Sequence, residues 1–180
     1  MSGAAALPAL VVRFQRTSPT HHRLELVRGD RREAFELETR SCLFHDLVHF
    51  AVESEAGLID SFYGRLARGA SYAQLTEDAG DLAALGEIAM TERLVGAVQG
   101  AWKSGFVADR FLATFRRYLQ QLGTPVPAWL TVELLGRIAQ RLRALTGAWG
   151  GTPFGETLEL QFPPPGQPPP RHSHGGTPRS

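Results

Sequence analysis

The stretch from Ser41 to Gly57, SCLFHDLVHFAVESEAG, decides how the rest of the chain is interpreted. Its apolar residues recur at helical spacing, Thr39 or Ser41 can cap its start, and Gly57 is a residue type that commonly ends a helix. At about 100° per residue, the apolar side chains share one broad face. The stretch is therefore predicted to be an amphipathic helix with an apolar face of Leu43, Phe44, Leu47, Val48, Phe50, Ala51 and Val52.

The opposite face of this predicted helix carries His45, Asp46, His49 and Glu53. Two interpretations of that face stay open. A helix that covers a core needs a polar side toward water, and these four residues would provide it. Two His at positions i and i+4 also have the spacing of helix-borne zinc pairs. Glu53 would then add an oxygen ligand, and Asp46 would be a further ligand or would orient one.

The residue after the first His argues against a metalloprotease. Those enzymes carry Glu at this position as the general base, and this chain carries Asp46. Aspartate is one methylene shorter and is less suited to reach a metal-bound water. A metal site here is therefore predicted without protease activity.

The five residues His45-Asp46-Leu47-Val48-His49 resemble the His-Asp-x-x-His element of ubiquinone-biosynthesis proteins. Those proteins bind zinc through that element and a Glu about three helical turns later, where this chain has Asp60. The resemblance implies zinc on His45 and His49. The wider pattern, Glu38 to Ser41 and Thr152 to Glu159, is similar to a group of bacterial proteins, and that similarity implies no activity.

Composition and charge exclude several classes of protein. The 180 residues are 43% apolar and 21% charged, which is ordinary for a globular domain, and the net charge of +1 does not indicate a strongly basic nucleic-acid binder. Because Cys42 is the single cysteine, an internal disulfide is excluded, which fits a cytoplasmic protein. Cys42 is predicted to pack as a small apolar residue. Neither a signal peptide nor an apolar run of about 20 residues is visible, so no membrane partner is predicted.

Alternating apolar residues predict a small antiparallel sheet. Residues 9–14, 23–28 and 33–38 have strand character, with a turn at Gly29-Asp30, and residues 157–162 alternate again near the other end of the chain. A lone strand is marginally stable, so the last one is predicted to join the N-terminal hairpin. His21 and His22 are adjacent in the second strand and should point to opposite faces.

Helical spacing returns at 58–68, 81–104, 107–122 and 128–145, with a short capped segment after Ser71. The helix at 81–104 carries a stripe of small residues that predicts close approach of another helix. On the same helix Glu92 lies on the apolar side, and a buried carboxylate needs a partner. That partner is predicted to be an arginine (Arg93, Arg116 or Arg117) or a metal ion held together with His45 and His49.

These patterns predict an α+β fold in which the small antiparallel sheet, built from the N-terminal hairpin and a C-terminal strand, packs on a bundle of about five helices. Residues 1–8 are predicted to be a flexible N-terminus, 9–162 a single domain, and 163–180 a disordered tail rich in Pro, Gly and His. The tail histidines, His172 and His174, make a poor metal site on their own.

Two functions from different classes follow. In the first, the protein binds a divalent metal, zinc or a similar ion, through His45, Asp46, His49, Glu53 and Glu92, and a metal-bound water serves hydrolysis or a lyase reaction. In the second, it is a non-catalytic adaptor or regulatory protein with a protein partner. The arginines of the later helices lack a phosphate loop or a DNA-binding motif, so nucleic-acid binding is not predicted. Convergence of the two histidines with a third ligand would favour the first function.

Overall fold

The computed structural model describes residues 8–77 and 86–164 and has the predicted α+β fold. Four antiparallel strands lie in the order β3-β2-β1-β4, so the last strand pairs with the first. The strands are β1 (Leu10–Arg16), β2 (His21–Arg28), β3 (Arg31–Glu38) and β4 (Thr157–Phe162). The predicted union of the N-terminal hairpin with the C-terminal strand is confirmed.

Six α-helices lie in the described part of the chain, and the fold class with its helical bundle is confirmed. A π-helical turn, Thr39–Leu43, leads from β3 directly into the first helix. The helices are α1 (Phe44–Ala56), α2 (Phe62–Arg68), α3 (Tyr72–Glu77), α4 (Gly86–Trp102), α5 (Ala108–Gln121) and α6 (Val132–Gly150). Helix α1 ends as predicted, because Gly57 adopts φ +67°, a left-handed conformation that glycine adopts without a Cβ penalty.

The core joins the sheet to the helices through α1. Phe50 of α1 contacts Tyr63 of α2 and Phe162 of β4, with ring centroids 5.5 Å and 5.7 Å away. All three side chains are buried, and burial of such rings is among the larger single contributions to a core. Tyr63 and Phe162 also stack on each other at 5.8 Å, so this one cluster anchors α1 against α2 and β4 and fixes the positions of the histidines on α1.

Two predictions about α4 are wrong. A Cβ added at Gly96 or Gly100 would meet no atom within 4 Å, so this part of the small-residue stripe makes no close helix contact. The side chain of Glu92 is 44% exposed, whereas burial was expected from its place beside apolar residues. It reaches His49 and pairs with none of the predicted arginines among the described residues.

The adjacent histidines of β2 point to opposite faces, as the period of a strand requires. His21 is exposed, and His22 is fully buried beneath the sheet. The domain boundaries 1–8, 9–162 and 163–180 stay predictions. The predicted flexible start and tail fall largely on residues 1–7 and 165–180, which lie outside the described residues, as does the beginning of the helix predicted at 81–104.

Candidate metal centre

The centre of the candidate site is His49, which is 4% exposed and lies in the middle of α1. Its Nδ1 is 2.9 Å from Glu53 Oε1, one turn later on the same helix. Its Nε2 is 3.4 Å from Glu92 Oε1 on α4. A carboxylate on Nδ1 fixes the ring orientation and directs Nε2 toward α4.

His45 lies one turn before His49, with the two rings edge to face at 4.6 Å between centroids. Its Nδ1 is 3.0 Å from the side-chain oxygen of Gln99 on α4. A neutral His45 that donates from Nδ1 to this oxygen keeps Nε2 free as an acceptor or a ligand. Each of His45, His49 and Glu92 offers one ligand atom, and these three atoms all lie within 4.8 Å of one another.

Glu53 is fully buried and uses both carboxylate oxygens within the protein. While Oε1 contacts His49, Oε2 accepts hydrogen bonds from Ser61 Oγ at 2.5 Å, Tyr63 N at 2.7 Å and Gly64 N at 3.2 Å. These donors surround the N-terminus of α2, whose free N–H groups and dipole stabilise a negative charge. In this arrangement Glu53 orients His49 and caps α2.

Gly64 permits this close approach. A Cβ at this position would lie 2.5 Å from Leu58 O and 2.7 Å from the carbonyl carbon of Ile59. These are backbone atoms and cannot move aside cheaply, so any larger residue would push α2 away from Glu53. Neither Gly64 nor Ser61 was singled out from the sequence, although Ser before a helical run is a recognisable N-cap signal.

Asp46 lines the same cavity as the two histidines but is not part of their group. Its Oδ2 is buried and has no hydrogen-bond partner among the described residues. Burial raises the pKa of this carboxyl to about 7, although the nearby His49 opposes the shift. Asp60, which occupies the position of the glutamate in the ubiquinone-biosynthesis motif, instead pairs with Arg68.

Burial alone would lower the pKa of His49, because it penalises the charged imidazolium. The hydrogen bonds to Glu53 and Glu92 outweigh burial and raise the pKa to about 10. In return, the hydrogen bond from His49 lowers the pKa of Glu92. Without a metal, the centre is therefore an imidazolium held between two carboxylates.

The site opens into a cavity of about 560 Å³ between α1, α3 and α4. No Lys or Arg is among its described lining residues. The apolar part of the wall is made by Leu37, Phe62, Tyr72, Leu75 and Ile88, and Ser41, Cys42 and Thr76 complete it. Cys42 is half-buried and borders the cavity.

The interpretation of the polar face of α1 as a surface toward water is wrong for His49 and Glu53, which are both buried. His45, His49 and Glu92 come together as the sequence predicts for a metal ligand set. Asp46 is beside them, and Glu53 is engaged through both oxygens. The assignment of all five residues as ligands stays a prediction.

Comparisons with protein-family models, with curated proteins and with solved structures gave no match for this chain. Among the described helices, none combines the length and apolarity that a membrane span requires.

Proposed function

We propose that this protein binds a divalent metal ion, zinc in the first instance, through His45, His49 and Glu92. The observation that carries the proposal is the convergence of two imidazoles and one carboxylate from two helices. Two His and one Glu form a ligand set that catalytic zinc centres use, with the fourth position left for water or substrate. Nitrogen-rich sets of this kind favour zinc over magnesium or calcium.

The distances are compatible with a tetrahedral ion after a small adjustment. Zinc with bonds of about 2.0–2.1 Å holds its ligand atoms about 3.4 Å apart. The separation of His49 Nε2 from Glu92 Oε1 is already 3.4 Å. The other separations are within 4.8 Å, and the half-exposed Glu92 side chain can adjust its position.

Metal binding would displace the proton on His49 Nε2, which faces Glu92. Glu53 would remain on Nδ1 and orient the ring, which is the usual arrangement of a carboxylate behind a metal-bound histidine. The fourth ligand position would face the cavity, where a bound water would have its pKa lowered toward neutrality. Hydrolysis or a lyase reaction in the cytoplasm is the activity that this arrangement would serve.

The test is the metal content of the purified full-length chain, measured by mass spectrometry. His172 and His174 are replaced by alanine in every sample so that the tail cannot bind metal. We expect about one zinc per chain in the wild type and little or none in His45→Ala/His49→Ala, because two of the three ligands are lost. His21→Ala, an exposed histidine of β2, is the matched control and should keep its metal.

A non-catalytic adaptor or regulatory role is the second candidate. One observation favours it: His49 is already paired with the buried Glu53 and the half-exposed Glu92, so this ion-pair network can exist as a structural feature without a metal. Absence of bound metal in the folded wild-type protein, even with zinc supplied, would contradict the first proposal. In that case the adaptor or regulatory function, with a protein partner, is the remaining prediction to test.

A further inference from the structure

A second cavity lies between α4 and α5, on the other side of Glu92 from the metal centre. Its volume is about 710 Å³, which is within the range of small-molecule sites. The middle of the wall formed by α4 and the following loop is made by small residues: Gly96, Ala97, Ala101, Ser104 and Gly105. Because these residues have almost no side chain, the two helices leave a groove where they would otherwise touch.

The opposite wall is a row of aromatic rings, in which Phe111 and Phe115 are buried in the core and Phe106 and Tyr118 are more accessible. Phe106 and Phe111 have centroids 4.9 Å apart, and Phe111 and Phe115 stack at 5.6 Å with only 12° between their planes. Tyr118 continues the row, 5.9 Å from Phe115, and is 43% exposed. A row of rings facing a wall of small residues has the shape of a slot for a flat apolar ligand.

The charged groups of the groove are mainly cationic. Arg93 of α4 and Arg110 of α5 both line it. Neither guanidinium has a carboxylate or hydrogen-bond partner within residues 8–77 and 86–164. The one acidic residue of the lining, Glu92, is turned to His49. Both arginines are exposed, and a guanidinium at the rim of an apolar slot favours a ligand with an acidic group, because guanidinium pairs well with carboxylate, sulfonate and phosphate.

We propose that this groove binds a planar aromatic anion, with its rings against the Phe106–Tyr118 row and its acidic group at Arg93 or Arg110. The inference does not require a bound metal, although Glu92 borders both sites, and the probes are therefore titrated with a chelator present. The chain's own C-terminal segment is a poor occupant by charge. Residues 163–180 contain Arg171 and Arg179 and no acidic residue, so they would be repelled by the groove's arginines.

Two fluorescent probes test the ligand class because they share one ring system and differ by a single sulfonate group. 8-Anilinonaphthalene-1-sulfonate is an aromatic anion with a planar naphthalene, and N-phenyl-1-naphthylamine lacks the sulfonate. Titrated into the folded full-length protein, the anion is expected to bind with one-to-one stoichiometry and at least about tenfold more tightly than the neutral probe, the effect of one charge-assisted hydrogen bond. Equal affinities would overturn the anion preference.

A matched pair of glycine variants tests the location. Gly96→Leu fills the groove, while Gly100→Leu places the same side chain on the same helix outside the groove lining. Added Cβ atoms meet nothing within 4 Å at either position, so both variants should fold, as far-ultraviolet circular dichroism would verify. Gly96→Leu is expected to weaken both probes at least tenfold, and Gly100→Leu should leave them unchanged. Equal behaviour of the two variants would place the probes elsewhere and overturn the proposal.

A charge variant provides a route that does not depend on filling the groove. Arg93→Gln/Arg110→Gln should reduce the affinity of the anionic probe to that of the neutral probe and should leave the neutral probe unaffected. Sedimentation of the wild type and of Gly96→Leu then tests the competing occupant. A wild-type dimer that Gly96→Leu dissociates would assign the groove to a second copy of the chain and would contradict the small-molecule proposal.

Discussion

Two histidines of this chain are almost completely buried, and their surroundings give them opposite properties. His49 on α1 is 4% exposed and lies between Glu53 and Glu92, and its pKa is raised to about 10. His22 on β2 is 0% exposed, and burial lowers its pKa below the ordinary 6.5. Its Nδ1 is 3.2 Å from the hydroxyl of Thr39, and its Nε2 has no partner among the described residues.

The difference shows that burial does not decide the charge of a histidine by itself. Desolvation penalises the imidazolium at both positions, and the outcome depends on whether carboxylates are within hydrogen-bond distance. His22 instead contacts the rings of Phe14 and Trp149 at 5.9 Å and 6.1 Å. A neutral histidine among rings is a packing residue, whereas a histidine between carboxylates can exchange its proton for a metal ion.

The largest expected effect comes from making the surroundings of His49 more like those of His22. Glu53→Gln removes the buried negative charge from His49 and from the N-terminus of α2. Breaking a buried pair in this way leaves the other charge uncompensated, and we expect the free energy of unfolding to fall by about 3 kcal/mol. Urea denaturation of the metal-free protein at pH 7 measures it.

The matched control for this prediction is Glu55→Gln, two residues away on the same helix. Glu55 is also poorly accessible, but its partner Arg137 is half-exposed, with Nε 3.4 Å from Oε2. A pair of that kind contributes roughly 0–1 kcal/mol. If the two variants lost equal stability, Glu53 would not be the group that holds α1, α2 and His49 together.

The fold could be predicted from the sequence because its signals are local. The alternation of Thr157 to Phe162 matches β4 residue for residue, and Gly57 ends α1 where the helical spacing stops. Strand and helix periods are properties of a few neighbouring residues. Tertiary contacts therefore changed little in the secondary structure that these local patterns predict. The pointing of His21 and His22 to opposite faces follows from the same period.

The site could be predicted only in part. The spacing of His45 and His49 placed them together, because four residues are about one turn of a helix. The role of Glu53 depends on α2 folding back so that Ser61, Tyr63 and Gly64 surround its carboxylate, and no local pattern encodes that contact. The groove beside α4 depends equally on where α5 lies relative to Gly96.

The second prediction compares the pH dependence of the two histidines in metal-free protein. The pKa of His49 is raised on folding, so its stabilisation is complete below about pH 6.5 and is lost as the pH rises toward 10. The pKa of His22 is lowered on folding, so its contribution is present above about pH 6.5 and is lost as the pH falls below it. For each histidine, the free energy of unfolding changes with pH by at most about 1.4 kcal/mol per pH unit.

Urea denaturation from pH 5 to pH 9, with a chelator present, measures both pH dependences as differences between wild type and variant. His49→Gln should remove the loss of stability on the basic side, and His22→Gln should remove the loss on the acidic side. Subtraction cancels the contribution of Asp46 for the His22 variant. Because His49 lowers the pKa of Asp46, the His49 pair of proteins is compared in an Asp46→Asn background. Difference curves that slope in the same direction for the two histidines would contradict the assignment.

The smallest expected effect concerns the hydrogen bond between His22 and Thr39. Thr39→Val keeps the shape of the side chain and removes the hydroxyl that lies 3.2 Å from Nδ1. A neutral hydrogen bond contributes about 1 kcal/mol, so the free energy of unfolding at pH 8 should fall by roughly that amount, because the ring nitrogen loses a partner in a buried place. Thr39→Ser, which retains the hydroxyl, should stay closer to wild type. If the valine and serine variants had the same free energy of unfolding, the hydroxyl would not contribute, and packing against Phe14 and Trp149 would hold His22. His49, by contrast, is held by its hydrogen bonds to two carboxylates.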